Sequence, residues 1–398
     1  MSDALSIEPL SRPPDTTIEV PGSKSITNRA LVCAALANGN SVLEGTLAAD
    51  DTEAMIDCLR ALGIEIDVVG DTVTVHGRGG DIPATDAHLD VRLSGTTARF
   101  IVPLLARGHG RYEVDAAAPM RRRPMAPVFD ALRSLGVGVH ERGVPGFLPV
   151  VIESPGVRGG HVATSGDVSS QFVSGLMMAG FTVDVTTDLV SQPYVEMTGA
   201  VMRAFAEPRT FAIEPDASAA SYFFAAAVLL DGRVTVEGLG SSSLQGDARF
   251  VEVLEAMGAT VERDARRTTV RGAGVIQGID IDLRHLSDMV PTLAAVAVFA
   301  DSPTTIRGVG FIRGKESNRI AAVVTELQRC GIDAVELDDG LTIAPGSPRP
   351  ARIRTYNDHR LAMAFALVGL RVPGIEIRDP ACVAKTFPGY FEALDQLR

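Results

Sequence analysis

The sequence repeats one short pattern at a fixed interval, and this repetition constrains the fold more than any other feature. Four segments carry the pattern: LRALGIEIDV from Leu59, LRSLGVGVHE from Leu132, LEAMGATVER from Leu254 and LQRCGIDAVE from Leu327. Gly63 and Gly136 are 73 residues apart, and so are Gly258 and Gly331. Each copy joins an amphipathic helix to a β-branched strand through a glycine, which adopts a left-handed C-cap at little cost. A fixed period of this kind predicts a fold built from repeated units.

Two diverged copies extend the series to six units. They are QPYVEMTGAVMRAFAEPRTFAI, between the second and third copies, and TFPGYFEALDQL near the C-terminus. Each unit also carries a second helix that has Ser, Thr, Asp or Asn at or near its start and is then almost uniformly apolar: SKSITNRALVCAALA, SGTTARFIVPLLA, SGDVSSQFVSGLMMAG, DASAASYFFAAAVLL, HLSDMVPTLAAVAVFA and NDHRLAMAFALVGL. Such segments are typical of buried helices with capped N-termini. Their polar residues could be caps alone, although in most of them the charged residues exceed what capping requires.

The repeat count predicts an α/β protein of two domains, each made of three units with sheets packed outside buried helices. A chain of 398 residues with 46% hydrophobic residues fits this prediction, because single cores rarely grow past roughly 250 to 300 residues. If the domains face each other, the helix N-termini could point into one cleft. Their partial positive charge would then favour anions there.

Composition excludes several other classes of protein. The net charge is -12 and the longest basic run is Arg121–Arg123, so we expect no nucleic-acid partner. The four cysteines are scattered singly, as in a reducing cytosol. The N-terminal segment does not resemble a signal peptide and no apolar run approaches ~18 residues, so we expect a cytoplasmic protein without a membrane partner. The histidines show no ligand spacing and no Gly-rich nucleotide loop follows a strand, so we predict chemistry without a metal or cofactor.

Nine segments, in order, resemble the motifs of the 5-enolpyruvylshikimate-3-phosphate (EPSP) synthase family. They are PGSKSITNRAL, SGTTAR, RRRP, SSQF, SQPYVEMT, SDMVPTLAAVA, RGKESNR, YNDHRLAMAFAL and KTFPGYFEAL, and they span Pro21 to Leu394. The resemblance implies the enolpyruvyl transferase fold, with two inside-out α/β domains of three repeats each. It places residues 1–20 with 216–398 in one domain and 21–215 in the other, with the active site in the cleft between them.

The resemblance also implies an activity. Family members transfer the enolpyruvyl (carboxyvinyl) group of phosphoenolpyruvate to the 5-hydroxyl of shikimate 3-phosphate and release phosphate, through a tetrahedral intermediate. This step belongs to the shikimate pathway, which leads to chorismate and the aromatic amino acids. A monomer acting on these two small molecules is therefore expected, with glyphosate as a competitor of phosphoenolpyruvate.

Site residues follow from the same motifs, position by position. The resemblance implies catalytic roles for Asp288, Glu316, Lys24 and Lys385. It implies acceptor binding by Lys24, Ser25, Arg29, Ser169, Ser170, Gln171, Ser191, Tyr194, Asp288 and Lys315, and phosphoenolpyruvate binding by Lys24, Gly95, Arg123, Gln171, Arg319, Arg360 and Lys385. Both substrates carry a carboxylate and a phosphate, so a site for them needs many fixed cations and N–H donors. Proton transfer needs carboxylates tuned by such cations.

Pattern alone favours plainer roles for several of these residues. Asp288 would be a helix cap, Glu316 an i+3 salt-bridge partner of Arg319, and Ser169 an N-cap. The RRRP segment would be a solvated loop. Its place among the other motifs favours a site role for Arg123, but not for Arg121 or Arg122.

Three positions depart from the family pattern. Leu93 stands where the family has Asn, Phe311 stands where a polar residue is usual, and Asn318 replaces an Asp that would brace neighbouring cations. The departures leave alternatives open for the acceptor. One is a paralogue acting on a related phosphorylated cyclic alcohol in secondary metabolism, and another is a non-catalytic anion-binding homologue. A relative acting on UDP-N-acetylglucosamine is disfavoured, because this chain has APMRRRP where that enzyme has a Cys-bearing loop, and Ser25 where it has Asn.

Overall fold

The computed structural model describes residues 4–207 and 209–398, which divide into two compact units. The terminal unit combines the residues up to Pro21 with Pro215–Arg398, and the inserted unit is Gly22–Glu214. Numbered along the chain, the helices are α1 (Lys24–Leu36), α2 (Asp50–Ala61), α3 (Gly95–Leu104), α4 (Ala118–Arg121), α5 (Ala126–Ser134), α6 (Ser170–Met178), α7 (Pro193–Ala204), α8 (Ala217–Leu229), α9 (Phe250–Ala256), α10 (Val290–Ala297), α11 (Arg319–Arg329), α12 (His359–Gly369) and α13 (Tyr390–Asp395). Short 3₁₀ helices occur at Leu105–Arg107, Gly246–Arg249, Ser287–Met289, Gly310–Gly314 and Pro380–Lys385.

The strands are short and are distributed over both units. They are β1 (Ala4–Ile7), β2 (Asp15–Thr17), β3 (Asn38–Glu44), β4 (Glu65–Val69), β5 (Thr72–Arg78), β6 (Asp86–Asp90), β7 (His109–Asp115), β8 (Gly138–Glu141), β9 (Val150–Pro155), β10 (His161–Thr164), β11 (Thr182–Val185), β12 (Thr210–Ala212), β13 (Arg233–Glu237), β14 (Thr260–Arg263), β15 (Arg267–Arg271), β16 (Asp280–Asp282), β17 (Thr304–Arg307), β18 (Ala334–Leu337), β19 (Gly340–Ile343), β20 (Ala351–Ile353) and β21 (Ile375–Arg378).

Within the two described ranges the strands form six sheets, and four of these repeat one arrangement. Their strand orders are β2-β13-β15-β14 and β16-β17-β19-β18 in the terminal unit, and β12-β3-β5-β4 and β6-β7-β9-β8 in the inserted unit. In each, the first pair is parallel and the following pairs are antiparallel. The smaller sheets keep the parallel pair, as β20-β21 and β10-β11. The predicted repeated α/β units are therefore confirmed.

The glycines of the sequence repeat end their helices in the predicted way. Gly63, Gly136, Gly258 and Gly331 follow α2, α5, α9 and α11, and their φ angles are 86°, 80°, 107° and 80°. This left-handed conformation favours glycine, because a Cβ there meets the following carbonyl oxygen. The shared pattern in the sequence therefore reflects one helix-ending turn, which all four copies use.

The second helix of each sequence repeat lies in the core of the compact unit that contains it. The helices α1, α3 and α6 are largely buried in the inserted unit, and α8, α10 and α12 are buried in the terminal unit. None of these helices has a side that is exposed to solvent along its whole length. Their residues are accordingly apolar on all sides. Each unit has its own hydrophobic core around these helices. Among residues 4–207 and 209–398, no helix is both long and hydrophobic enough to span a bilayer.

Side-chain caps begin most of these buried helices. The capping residues are Ser23, Ser94, Ser169, Asp216 and Asp358, each of which accepts a backbone N–H from the first turn. The exception is α10, which follows the 3₁₀ turn that contains Asp288 and has no side-chain cap. The capping role that pattern alone favoured for Asp288 is therefore wrong.

Candidate functional site

The N-termini of α1, α3 and α6 lie side by side in the inserted unit. Arg29, the sixth residue of α1, donates from Nη2 to Ser174 Oγ at 3.4 Å, and Ser174 is the fifth residue of α6. The Arg29 guanidinium carbon also lies 5.1 Å from the ring centroid of Phe100, the sixth residue of α3. These contacts join residues at nearly equal depth from the helix starts. The helix ends therefore present their N–H groups and partial positive charge together.

Arg29 is a fixed charge held by neutral groups. Its side chain is almost fully buried, and its Nε donates to Thr198 Oγ1 at 2.7 Å. Its Nη1 and Nη2 donate to the carbonyl oxygens of Ser25 at 2.9 Å and Tyr194 at 3.3 Å. Burial lowers the pKa of Arg29 to about 10, which still leaves the guanidinium charged at neutral pH. The structure thus brings Ser25, Arg29 and Tyr194 together, and Ser191 O accepts the N–H of Tyr194.

Lys24 has a partner that the motifs did not indicate. It is the first residue of α1, and its Nζ lies 3.2 Å from Oδ2 of Asp51 near the start of α2. The Asp51 side chain is 3% exposed, whereas that of Lys24 is 14% exposed. In the sequence, Asp51 belongs to the acidic first turn of a helix, a position explained by the helix dipole alone. The pairing with Lys24 makes Asp51 part of the candidate site.

The start of α6 holds the serines and the glutamine of the SSQF motif. Ser169 accepts the Gln171 N–H at 3.3 Å as the N-cap, and Ser170 is buried as the first helical residue. The Gln171 side chain donates to Thr96 Oγ1 at 3.1 Å and accepts from Arg99 Nη1 at 2.8 Å. Arg99 therefore fixes the orientation of Gln171, which the sequence motifs did not show.

Gly95 and Arg123 are in direct contact. A Cβ added at Gly95 would lie 2.7 Å from Arg123 Cζ, so the guanidinium can keep its present position only beside glycine. Arg123 is 7% exposed, whereas Arg121 and Arg122 are exposed, and Arg121 pairs with Asp115 at 2.6 Å. Burial thus separates the third arginine of the RRRP segment from the first two.

The N-termini of α8, α10 and α12 converge in the terminal unit in the same way. Arg360, the second residue of α12, donates from Nη2 to Oδ2 of Asp288 at 2.7 Å, and Asp288 lies two residues before α10. The same Nη2 lies 3.4 Å from Oγ of Ser218, the second residue of α8, which in turn donates to Asp247. Arg360 therefore touches groups at the starts of two other buried helices.

Arg319 is the centre of a network of carboxylates. Arg319 is only 1% exposed, and each nitrogen of its guanidinium donates to a carboxylate. Nη1 donates to Asp288 at 2.8 Å, Nη2 to Glu316 at 2.6 Å and Nε to Asp358 at 2.8 Å. Lys385 Nζ donates to the other Glu316 oxygen at 3.2 Å. The i+3 pair predicted for Glu316 is therefore present, and it is one part of a larger cluster.

Charge in this cluster shifts the pKa values of its members in opposite directions. Burial favours the neutral form of Asp288, but Arg360, Lys315 and Arg319 outweigh burial and hold its pKa well below the usual range. Burial likewise opposes the charge of Arg319, whereas Asp358, Glu316 and Asp288 raise its pKa. The two groups are therefore fully ionised at neutral pH.

Asn318 and Asp358 have different roles around the start of α11. Asn318 caps α11 by accepting a backbone N–H at 3.2 Å, which an amide oxygen does as well as a carboxylate. Asp358, whose side chain is 0% exposed, binds Arg319 and also accepts from Ser317 Oγ. Asp358 therefore braces Arg319 directly, whereas Asn318 Oδ1 lies 3.5 Å from Nη1 of Arg313. The role of Asp358 was not identified from the sequence, although it lies in the YNDHR motif.

The other two departures are apolar and lie next to site residues in the chain. The ring centroid of Phe311 is 5.8 Å from Lys315 Nζ. The Phe311 side chain also packs against the core of the terminal unit. Leu93 is half-buried in the turn that precedes α3. Phe311 therefore supplies a cation–π surface for Lys315.

Repeated inside-out units with charged side chains gathered at buried helix N-termini define the enolpyruvyl transferase class of fold. A family model described as EPSP synthase (3-phosphoshikimate 1-carboxyvinyltransferase) matches residues 11–208 and 206–394. The chain is 46% identical to the 3-phosphoshikimate 1-carboxyvinyltransferase of Nostoc punctiforme, over 99% of both chains. It is 39% identical to the protein of Halalkalibacterium halodurans named 3-phosphoshikimate 1-carboxyvinyltransferase 2, over 100% of this chain and 95% of the other.

Solved structures agree with these matches. The EPSP synthase of Acinetobacter baumannii has a TM-score of 0.82 and 26% identity, over 99% of this chain and 98% of the other. The enolpyruvyl transferase NikO of Streptomyces tendae has a TM-score of 0.76 at 20% identity, covering 99% and 97%, which supports the fold alone. The chain therefore belongs to the EPSP synthase family, and it is an enzyme of the carboxyvinyltransferase type.

Proposed function

We propose that this enzyme transfers the carboxyvinyl group of phosphoenolpyruvate to the 5-hydroxyl of shikimate 3-phosphate and releases phosphate. The names of its relatives support this reaction rather than transfer to a different phosphorylated cyclic alcohol. The observation that carries the proposal is the cluster around Arg319. It combines ionised carboxylates with cations, which is the equipment for moving protons beside anionic substrates.

Phosphoenolpyruvate is assigned to a set of cations and N–H donors. The proposed ligands are Lys24, Gly95, Arg123, Gln171, Arg319, Arg360 and Lys385. Arginine suits planar carboxylate and phosphate groups, because its guanidinium can donate two parallel hydrogen bonds. The burial of Arg123, Arg319 and Arg360 supports this assignment, since buried charges act in a lower dielectric than water.

The acceptor is assigned mainly to donors at the helix starts of the inserted unit. The proposed ligands are Lys24, Ser25, Arg29, Ser169, Ser170, Gln171, Ser191, Tyr194, Asp288 and Lys315. Hydroxyl and backbone N–H groups at the start of α6 suit a phosphate. Arg29 supplies a fixed cation with little freedom, because neutral groups hold most of its donors.

Asp288 is proposed to take the proton from the acceptor hydroxyl. A carboxylate whose pKa is held so low is a weak base. Anionic substrates that bind Arg360 and Lys315 would partly neutralise these cations and so raise the pKa of Asp288. The base would therefore gain strength only when its substrates are bound.

Glu316, with Lys24 and Lys385, is proposed to handle the proton at the methylene carbon. In the first step this carbon accepts a proton while the acceptor oxygen adds to the neighbouring carbon, which gives the tetrahedral intermediate. In the second step the new methyl group loses a proton and phosphate leaves. Glu316 accepts hydrogen bonds from Arg319 and Lys385, so its carboxylate lies between a guanidinium and an ammonium group, the second of which can exchange a proton with it.

The test is phosphate release by the full chain with phosphoenolpyruvate and shikimate 3-phosphate. We expect stoichiometric phosphate and a product heavier than the acceptor by one carboxyvinyl group, detected by mass spectrometry. Phosphoenolpyruvate alone and unphosphorylated shikimate are the controls. Binding of both substrates without product would support a non-catalytic anion-binding homologue, and no binding of shikimate 3-phosphate would support a different acceptor.

We also propose that the enzyme is a cytoplasmic monomer. Cys33, Cys58, Cys330 and Cys382 are free thiols in the structure, as expected in a reducing compartment. Analytical ultracentrifugation of the purified chain would test the monomer.

A further inference from the structure

The turn that leads into α12 has an unfavourable backbone for its sequence. The N–H of Asp358 donates to the carbonyl of Thr355 at 2.8 Å, and the central residues Tyr356 and Asn357 have φ angles of 55° and 57°. Positive φ at both central positions is the pattern of a type I′ turn, which favours glycine and asparagine. A tyrosine there is uncommon, because its Cβ crowds the backbone. Some other contact must therefore favour Tyr356 at this position.

That contact is with a buried carboxylate outside the predicted site. The Glu326 side chain is 0% exposed, and its Oε1 accepts the Tyr356 hydroxyl at 2.7 Å. Its Oε2 accepts the backbone N–H of Arg354 at 3.0 Å and Nε of Arg329 at 2.8 Å. Burial and the bond to Glu326 raise the pKa of Tyr356, so the hydroxyl keeps its proton and donates. One carboxylate thus holds the turn at Arg354 and again at Tyr356.

Glu326 and Arg319 lie on the same face of α11. They are seven residues apart, which is close to two turns, and about 10.5 Å along the axis. Arg319 binds Asp358, the last residue of the turn. Glu326 binds Arg354, just before the turn, and Tyr356, within it. The segment that precedes α12 is therefore fixed to one helix at both ends.

We infer that Glu326 is a positioning residue that acts through the Tyr356 hydroxyl to place the first turn of α12 and the guanidinium of Arg360. Arg360 lies four residues after Tyr356 in the chain, and its backbone N–H donates to the Asp358 side chain at 3.1 Å. A shift of the turn would therefore move Arg360 relative to Asp288. The kinetic consequence rests on the proposed role of Arg360 in phosphoenolpyruvate binding, whereas the effect on the turn does not.

Tyr356→Phe removes the link and keeps the ring. Tyr112→Phe is the matched control, because the Tyr112 hydroxyl also makes a 2.7 Å bond, to Ala84 O in the inserted unit. Hydrogen–deuterium exchange of the full chain should show faster exchange in residues 354–361 for Tyr356→Phe and not for Tyr112→Phe. Unchanged exchange in this segment for Tyr356→Phe would overturn the inference whether or not the proposed reaction is correct.

Kinetics separate positioning from general stability. Tyr356→Phe should raise KM for phosphoenolpyruvate by about tenfold, as for one misplaced charge-assisted hydrogen bond, with a smaller change in kcat and in the acceptor KM. Tyr112→Phe should leave each of these constants within about twofold. Glu326→Gln should be milder than Glu326→Ala, because an amide can accept from Arg354 N–H and donate to the Tyr356 oxygen. Equal KM values for the two tyrosine variants, or no rescue by glutamine, would contradict the role of Glu326.

Discussion

The two units gather cations at buried helix N-termini, and although Lys24 of the inserted unit pairs with a carboxylate, the buried arginines of the two units have different partners. In the inserted unit, Arg29 donates to hydroxyl and carbonyl oxygens, and Arg99 donates to an amide oxygen. In the terminal unit, Arg319 and Arg360 donate to carboxylates. The pKa of Arg29 is accordingly lowered by burial, whereas that of Arg319 is raised because its carboxylate partners outweigh burial.

This difference suggests a division of labour. Cations held by neutral groups keep their positive charge available for an anion, as binding an acceptor requires. Carboxylates held by cations have pKa values that respond to a bound anion, as proton transfer requires. We therefore expect loss of a neutral donor in the inserted unit to weaken acceptor binding, and loss of a carboxylate from the Arg319 cluster in the terminal unit to slow the chemical step.

The largest expected effect is on stability, from replacing each buried arginine by methionine. Arg319→Met leaves Asp288, Glu316 and Asp358 without their shared cation, so we expect a loss of about 3 to 5 kcal/mol. Arg29→Met leaves only neutral acceptors unpaired, so we expect about 1 to 3 kcal/mol. Denaturant unfolding of both variants and the wild type measures the difference.

Acid should distinguish these two losses. The Asp288 pKa is lowered in the fold, so its contribution to stability is full above about pH 4 and is lost as pH falls. In Arg319→Met the three carboxylates lose their shared cation and protonate more readily than in the wild type, so the gap to the wild type should narrow as pH falls from about 7 toward 4. The gap for Arg29→Met should stay constant over the same range. A pH-independent gap for Arg319→Met would contradict the contrast between the units.

The second largest effect is expected from Asp288→Asn, which should lower turnover by about 100-fold or more. The amide still reaches the acceptor hydroxyl but cannot take its proton. Steady-state phosphate release measures kcat. Calorimetry with shikimate 3-phosphate should show binding within a few-fold of the wild type. Near-normal turnover would remove Asp288 from the catalytic residues.

Gly95→Ala should raise the glyphosate inhibition constant by about tenfold and the phosphoenolpyruvate KM by less. The new methyl group would meet the Arg123 guanidinium, which must move to make room. Inhibition assays at several phosphoenolpyruvate concentrations give both constants. Equal inhibition of variant and wild type would show that Gly95 does not line the site.

The smallest expected effect is from Asn318→Asp. Aspartate caps a helix as well as asparagine, and it would face Arg313, whose Nη1 is 3.5 Å from Asn318 Oδ1. Since Asp358 already braces Arg319, we expect kcat to change by less than about twofold. A large gain in kcat would show that the missing carboxylate limits this enzyme.

The sequence was sufficient to predict the repeated fold but only part of the candidate site. The glycines that end α2, α5, α9 and α11 are local signals, because the left-handed turn depends on the residue itself. The apolar helices are also predicted from local sequence, because a helix that is apolar on all sides is typical of a buried position. Motif residues such as Arg319 and Asp288 were found through family resemblance, and the structure adds that they contact each other.

The partners of those residues could not be predicted, because they are distant in sequence. Asp358 is 39 residues from Arg319, and Glu326 is 30 residues from Tyr356. Asp51 reads as an ordinary residue of an acidic helix start until the fold places it against Lys24. Buried pairs of this kind depend on how helices and loops pack within each unit, which a linear pattern does not record.

The division of labour between the units is tested most directly by the steady-state kinetics of Glu316→Gln and Ser170→Ala. Glu316→Gln, in the terminal unit, should lower kcat by about 100-fold with both KM values within a few-fold of the wild type. Ser170→Ala, at the start of α6, should raise the KM for shikimate 3-phosphate by about tenfold with kcat nearly unchanged. The reverse pattern, or equal losses of kcat in both variants, would contradict the account.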